Sequence, residues 1–185
     1  MNVFTKPVLS TVTRGICIGN ILAAENKETL TRHKIGYVVS VYPDAEWLGQ
    51  LYKNLGIGHI IIPVRDNQPF DNDLDRIAGT LLDKAFPRTR LISEEGLRSV
   101  LVHCGQGISR APAYVITFLM WCYGMPLDEA LRIVASCHPP ANPSPQVLDS
   151  FLRCIGKGFE DEESYEAYKT RWSRILFLKN QEAPD

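Results

Sequence analysis

Residues 99–114 of the chain read SVLVHCGQGISRAPAY, and this stretch decides the fold. The apolar run at residues 100–102 predicts a buried strand. The apolar pattern that begins near Pro112 predicts a helix, because proline is favoured in the first helical turn. The sequence therefore predicts that Cys104 lies where a strand ends and that Arg110 lies where a helix begins.

This placement predicts a phosphate-binding loop with a nucleophile at its base. The backbone N–H groups of a tight turn that contains Gly105 and Gly107 can converge on an anion. The helix N-terminus adds partial positive charge at the same place, which favours the nucleophilic thiolate of Cys104. Arg110 adds a planar guanidinium that fits two oxygens of a phosphate. Together these features predict transfer of a phosphoryl group to sulfur.

The whole loop is expected to bind the phosphate, through Gly105, Gln106, Gly107, Ile108, Ser109 and Arg110. His103 is predicted to support the loop by hydrogen-bonding its backbone. We do not assign it as the base of a Cys-His pair, because neighbouring residues on a strand point to opposite faces. Two simpler interpretations stay open: a buried, satisfied histidine, and a structural cysteine beside an arginine that caps a helix.

Residues 103–110, HCGQGISR, resemble the signature loop of the cysteine-dependent protein phosphatases. From about residue 15 to about residue 152 the chain resembles the small dual-specificity phosphatases. The resemblance implies an α/β fold with a central mixed, mostly parallel sheet flanked by helices, and it implies no metal and no cofactor. It also implies hydrolysis of phosphotyrosine, and of phosphoserine and phosphothreonine, through a phosphocysteine intermediate.

The loop at residues 63–70 contains the candidate general acid. A phosphate ester needs a proton donor for its leaving oxygen at neutral pH. Asp66 follows an Ile-Pro-x-x pattern, where the family carries this acid, and the resemblance adds a second task, deprotonating the water that hydrolyses the phosphocysteine. A turn aspartate that caps its own backbone is the alternative. Asp71, Asp73 and Asp75 are rival candidates, and Asp71 or Asp73 also suits the N-cap of the next helix.

Ala111 departs from the family pattern. Most dual-specificity phosphatases have a serine or threonine directly after the arginine, and that hydroxyl is thought to assist loss of the thiolate when the phosphocysteine breaks down. Residues 110–112, RAP, resemble the phosphatases of regenerating liver in this respect. We therefore expect slow hydrolysis of the intermediate, unless Ser109 on the other side of Arg110 partly substitutes.

The composition excludes several classes of protein. The 185 residues suffice for one full domain core, and the net charge of −1 gives no support for a nucleic-acid or membrane partner. No apolar run reaches the roughly 20 residues of a membrane span, and no signal peptide or membrane anchor is apparent. Five cysteines without paired spacing indicate a reducing compartment. We therefore expect the protein to be located in the cytoplasm, and the nucleus is a second candidate location. No close cluster of cysteine and histidine indicates zinc.

The chain divides into an N-terminal arm at residues 1–14, a phosphatase domain at 15–158 and a C-terminal helical extension at 159–185 packed on the domain. Strands are predicted at 15–20, 37–41, 59–62 and 100–102. Helices are predicted at 21–33, 44–54, about 72–86, from about 112 to 123, 127–137, 145–155 and about 161–179, the last with a face formed by Tyr165, Tyr168, Trp172, Ile175 and Leu176. Residues 87–98 are predicted to form a polar, irregular insertion.

Three functional classes remain open: an active protein phosphatase, a phosphoprotein-binding adaptor with weak turnover, and a sulfur enzyme similar to rhodanese or arsenate reductase. The presence of both Cys104 and Asp66 favours the first class, and Ala111 favours a slow enzyme. The expected substrate is a phosphorylated protein, and phosphate, sulfate or vanadate should also occupy the site. The neutral Gln106 and Ile108 disfavour a polyphosphorylated headgroup, although phosphoinositides and RNA 5′-phosphates are not excluded.

Overall fold

The structure is a computed structural model that describes residues 5–66, 72–159 and 162–182, with the side chains at 72–76, 162, 165, 176–177 and 179–182 left out. The strands are β1 Leu9–Thr13, β2 Ile16–Gly19, β3 Ile35–Ser40, β4 Gly58–Ile61 and β5 Ser99–His103. The α-helices are α1 Ile21–Glu25, α2 Lys27–Arg32, α3 Gly49–Leu55, α4 Asn72–Glu95, α5 Arg110–Tyr123, α6 Leu127–Cys137, α7 Pro145–Cys154 and α8 Glu162–Glu182, and a short 3-10 helix covers Glu46–Leu48.

The strands form one sheet in the order β1-β2-β5-β3-β4. β1 runs antiparallel to β2, and the other neighbours are parallel. The central strand is β5, and its last residue, His103, pairs with Gly19 of β2 on one side and Ser40 of β3 on the other. Three parallel strands therefore end together where the cysteine loop begins, and the predicted mixed, mostly parallel sheet is confirmed.

Helices cover both faces of the sheet, which explains why its central strands are continuous apolar runs. Val100 and Val102 of β5 belong to the larger core, which also contains buried residues of α4 to α8. Leu101 points to the opposite face, into a smaller core with Val38 of β3 and Tyr52 of α3. Burial of both faces makes β5 a rigid support for the residues that follow it.

The edge strand β1 corrects one prediction, because the sequence pattern predicts an arm over residues 1–14 whereas Leu9–Thr13 pairs with β2. Only Val12 of this strand is buried, so the segment lacks a clear apolar signal. The side chain of Asn20 holds the segment that precedes β1 in place. The side-chain oxygen of Asn20 accepts from Val8 N at 3.0 Å, and its amide donates to Lys6 O at 3.0 Å.

The helix predicted at residues 21–33 is interrupted at Asn26, which separates α1 from α2. The backbone of Asn26 is extended, and its side-chain oxygen accepts from Thr29 N at 2.8 Å. Asn26 therefore caps the second helix instead of continuing the first, as asparagine does readily.

Helix α4 also differs from the prediction, because it continues through Pro87 to Glu95 where the sequence pattern predicts an irregular insertion. Pro87 is exposed, so water can serve the carbonyl that loses its partner there. The residues beyond it bury one face: Thr89 bonds to Tyr114 of α5 at 3.0 Å between hydroxyl oxygens, and Ile92 joins the larger core. Packing of this face outweighs the helix-breaking tendency of one proline.

The C-terminal helix α8 lies against α6 and α7. Tyr168 and Trp172 are buried in the larger core, and Ile175 packs against it. Arg171 Nη1 donates to Asp128 Oδ1 of α6 at 2.9 Å. The side chains of Tyr165 and Leu176, assigned by the sequence to the same face, lie outside the described residues.

Candidate active site

The carboxyl end of β5 delivers the candidate nucleophile. Cys104 follows His103 directly, and its side chain is 1% exposed. The loop then turns back so that α5 begins at Arg110, which is also buried. A buried central strand, a five-residue loop and an apolar helix thus place the sulfur and the guanidinium at one end of the sheet, as the sequence predicts.

Gly107 shapes the loop around the sulfur. It has φ of +75°, in the left-handed region that glycine adopts without strain. A side chain here would meet Gly19, since an added Cβ would lie 2.8 Å from its carbonyl oxygen. In this conformation Gly107 N–H donates to Cys104 Sγ, with 3.2 Å between nitrogen and sulfur. The sulfur therefore accepts a hydrogen bond from the backbone of its own loop.

The carbonyl groups of the loop are held by partners outside it. Gly105 O accepts from Ile21 N at 3.0 Å, Gly107 O bonds to His138 Nε2 at 2.8 Å, and Ile108 O accepts from Asn142 N at 2.7 Å. Because a trans peptide is planar, the N–H of each following residue points the opposite way. The amides of Gln106, Ile108 and Ser109 thus face away from these partners, an arrangement typical of a backbone anion nest.

The guanidinium of Arg110 is held by a hydrogen bond at one edge and by an aromatic ring against one face. Its Nη1 donates to Val64 O at 3.1 Å, and its guanidinium carbon lies 5.2 Å from the centre of the Tyr42 ring. Within the part of the chain that the structure describes, its buried Nε makes no hydrogen bond. A buried, permanently charged donor of this kind is suited to an oxyanion.

Asp66 lies beside this loop. Its Oδ1 accepts from Ser109 Oγ at 2.8 Å, and its Oδ2 is 3.9 Å from Arg110 Nε. The side chain is 38% exposed, so the carboxyl group is accessible from solvent. Of the rival acids, Asp71 lies outside the described residues, and so do the side chains of Asp73 and Asp75.

His103 lies behind the loop in a chain of side chains. Its Nε2 is 2.6 Å from Ser40 Oγ, which is also 2.8 Å from Nε2 of His59, and its Nδ1 is 3.4 Å from Cys104 O. Burial lowers the pKa of His103 to about 3, so the ring is neutral over the working range of pH. Burial also lowers the pKa of His59. A neutral, backbone-facing His103 suits a supporting role better than a proton-accepting one.

Sequence reasoning missed three residues of the segment that follows α6. His138 bonds to Gly107 O, the backbone N–H of Asn142 donates to Ile108 O, and Ser144 N donates to Ser109 Oγ at 3.0 Å. No local pattern marks these contacts, because their partners lie about 30 residues earlier. The sequence signal at this segment, two prolines after a helix, indicates only that the helix ends.

The described helices include none that is both long and apolar enough to cross a lipid bilayer.

Residues 16–153 match the family described as dual specificity phosphatase, catalytic domain. Mouse dual specificity protein phosphatase 18 is 30% identical over 159 residues, which cover 80% of this chain and 76% of that protein. MAP kinase phosphatase with leucine-rich repeats protein 3 of Dictyostelium discoideum is 32% identical over 120 residues, which cover 59% of this chain and 14% of that protein. A solved mouse putative dual specificity phosphatase, complexed with zinc tungstate, is 25% identical at a TM-score of 0.64, over 91% of this chain and 95% of that one. The chain therefore belongs to the dual specificity phosphatase family of cysteine-dependent protein phosphatases.

Proposed function

We propose that this chain hydrolyses phosphotyrosine, and phosphoserine or phosphothreonine, in proteins, with Cys104 as the nucleophile. The observation that carries the proposal is the hydrogen bond of 3.2 Å from Gly107 N–H to Cys104 Sγ, in a loop that ends at the buried Arg110. Backbone donors around a sulfur stabilise the thiolate, and they can bind the oxygens of a phosphate.

In the first step the phosphate dianion binds to the loop amides and Arg110. The thiolate of Cys104 attacks phosphorus, so that an S–P bond forms and the bond to the leaving oxygen breaks. Asp66 gives its proton to that oxygen. Its exposure and its hydrogen bond to Ser109 support this assignment, because they place the carboxyl group beside the loop and open to a substrate.

In the second step water attacks phosphorus and the S–P bond breaks. Asp66, now a carboxylate, takes the proton of the water, and inorganic phosphate leaves. Ala111 has no hydroxyl to assist the departing sulfur, so we propose that this step limits turnover.

The same proposal includes the class of substrate, the anions that bind to the loop and the cellular compartment. Neutral Gln106 and Ile108 favour a singly phosphorylated protein side chain over a polyphosphorylated headgroup. Phosphate, sulfate, vanadate and tungstate should all occupy the loop. All five cysteines are free thiols, which suits the cytoplasm or the nucleus.

Hydrolysis of an aryl phosphate by the parent, Cys104→Ser and Asp66→Ala tests the proposal. We expect no turnover in Cys104→Ser and a loss of about 100-fold in Asp66→Ala at its optimum pH. Retained turnover in Cys104→Ser would exclude a phosphocysteine. Transfer of sulfur or reduction of arsenate without phosphatase activity would instead indicate the alternative sulfur enzyme.

The alternative adaptor function is favoured by a single observation, the missing hydroxyl at Ala111. An adaptor would bind a phosphoprotein and release it still phosphorylated, whereas an enzyme would release the dephosphorylated protein and then inorganic phosphate. Capture of phosphoproteins from a lysate with Asp66→Ala, followed by release with vanadate, would identify the substrates in either case.

A further inference from the structure

His138 is a buried histidine that the proposed chemistry does not use. It follows α6, its side chain is fully buried, and both ring nitrogens have hydrogen-bond partners. Nε2 lies 2.8 Å from Gly107 O, and Nδ1 lies 2.8 Å from Ser10 Oγ on the edge strand β1. A carbonyl oxygen only accepts, so the proton is on Nε2; in the neutral ring Nδ1 then accepts from the Ser10 hydroxyl.

This hydrogen bond determines how one peptide group of the phosphate loop is turned. The Gly107 carbonyl points to His138, so the amide of Ile108 in the same planar peptide points the opposite way. The N–H of Gly107 itself faces Cys104 Sγ. Both sides of this glycine are therefore fixed.

Loss of the imidazole donor would affect the loop in two ways. The Gly107 carbonyl would lose the hydrogen bond from His138, which is costly for a buried group. Glycine also restrains its flanking peptides weakly, so the peptide could rotate. Rotation would replace the Ile108 amide dipole with that of the Gly107 carbonyl and thereby repel a phosphate.

We infer that His138 is a positioning residue for the phosphate loop, because its Nε2–H holds the Gly107–Ile108 peptide in the orientation that presents an amide to the substrate. Through Ser10 it also connects the loop to β1. This role presupposes the proposed function of the loop and adds to it a residue from outside the segment 103–110.

Two substitutions separate the ring nitrogens. The amide of glutamine reaches the position of Nε2, whereas the shorter asparagine reaches only that of Nδ1. We expect His138→Asn to weaken tungstate binding, measured by calorimetry, about tenfold and to lower kcat for an aryl phosphate by a similar factor. His138→Gln should stay within about threefold of the parent in both. Ser10→Ala, which leaves the bond to Gly107 in place, is the matched control and should bind tungstate like the parent.

Unchanged tungstate affinity in His138→Asn would overturn the inference. Equal losses of tungstate affinity in His138→Asn and His138→Gln would also overturn it, because a merely structural role would not discriminate between the two variants. If neither variant folds, nitrogen-15 NMR of the parent decides the matter. The inference requires a proton on Nε2, and a ring with its proton on Nδ1 alone would overturn it. Tungstate affinity does not depend on turnover, so it tests the role of His138 separately from the proposed function. Failure of the proposed function would show itself differently, as retained hydrolysis in Cys104→Ser.

Discussion

Ser109 Oγ donates a hydrogen bond of 2.8 Å to Asp66 Oδ1, and the same oxygen accepts one of 3.0 Å from Ser144 N. A hydroxyl has one proton, and that proton is directed to Asp66. The residue before Arg110 therefore ties the proposed general acid to the phosphate loop. It has no second proton to offer the sulfur of Cys104.

Replacement of Ser109 by alanine should release Asp66 and weaken proton transfer to the leaving group. Poor leaving groups depend most on that proton. We expect Ser109→Ala to lower kcat about tenfold for an alkyl phosphate such as a phosphoserine peptide, and much less for an activated aryl phosphate. A plot of log kcat against leaving-group pKa checks this. A uniform decrease across the series would show that Ser109 acts on the loop and not through the acid.

Ala111→Ser should speed hydrolysis of the intermediate. Ser109 cannot supply the missing hydroxyl, since its proton goes to Asp66, so the parent should show a burst of product followed by a slow steady state. A new hydroxyl in the first turn of α5 should raise the steady-state rate about tenfold by hydrogen-bonding the departing thiolate. Rapid-quench measurement of both phases is the test. The absence of a burst in the parent, or an unchanged steady state in the variant, would contradict slow hydrolysis.

Two glycines of the loop should respond differently to substitution by alanine. At Gly107 a side chain is strained by φ of +75° and would clash with Gly19 O, so we expect a loss of about 1–3 kcal/mol in the free energy of unfolding. At Gly105 the added Cβ would meet Arg110 Nη2 at 3.5 Å and the Tyr42 ring at 3.6 Å, which are ordinary contacts.

Gly107→Ala should also lower kcat/KM on the order of 100-fold, because the strain at positive φ and the clash with Gly19 would turn the backbone N–H of residue 107 away from the sulfur. Gly105→Ala is the matched control and should keep the stability of the parent. Urea unfolding and steady-state kinetics of both variants check the pair. Equal behaviour of the two would show that backbone conformation at Gly107 is not a requirement.

The centre of the candidate site could be proposed from the sequence because its signals are local. The apolar run before Cys104, the glycines after it and the proline at the start of α5 each act within a few residues. Asp66 was proposed from the need for a proton donor together with a family pattern. The structure then brought Asp66 to Ser109 across 43 positions in the chain, a contact that no periodicity contains.

The features that sequence reasoning missed depend on tertiary packing. His138 has its partners on β1 and in the phosphate loop, so its role appears only when the segments are assembled. The continuation of α4 beyond Pro87 buries Thr89 and Ile92, a packing that is known only from the structure, and the proline and the polar composition of the segment weighed against a helix. The strand β1 has one buried residue, and its pairing with β2 decides its conformation.

Acid should destabilise the protein through His103. Burial lowers the pKa of this ring from 6.5 to about 3 in the folded state. Between these two values the unfolded chain binds a proton that the folded chain does not, so stability falls as pH is lowered through this window. Between pH 7 and pH 5 the contribution of His103 is about 2 kcal/mol.

The variant His103→Gln keeps a polar side chain beside Ser40 and does not titrate. Its free energy of unfolding, measured in urea at pH 7 and pH 5, should fall by less than that of the parent. His59, whose pKa is also lowered by burial, is present in both proteins and bonds to the same Ser40 hydroxyl, so the comparison reports His103 together with its coupling to His59. Parallel pH dependence in the two proteins would show that His103 is not the group responsible.

The C-terminal helix α8 should influence the phosphate loop, although it lies outside the matched segment 16–153. Trp172 Nε1 donates to Asn142 Oδ1 at 2.8 Å, and the backbone N–H of Asn142 donates to Ile108 O at 2.7 Å. We expect Trp172→Phe and Asn142→Ala each to lower kcat about threefold, and the double variant to lower it no further, because the two substitutions remove the same hydrogen bond. Arg171→Gln is the control, because it breaks the bond of α8 to Asp128 without touching Asn142. Additive losses in the double variant would show that Trp172 and Asn142 act independently, and α8 would then serve only the packing of the core.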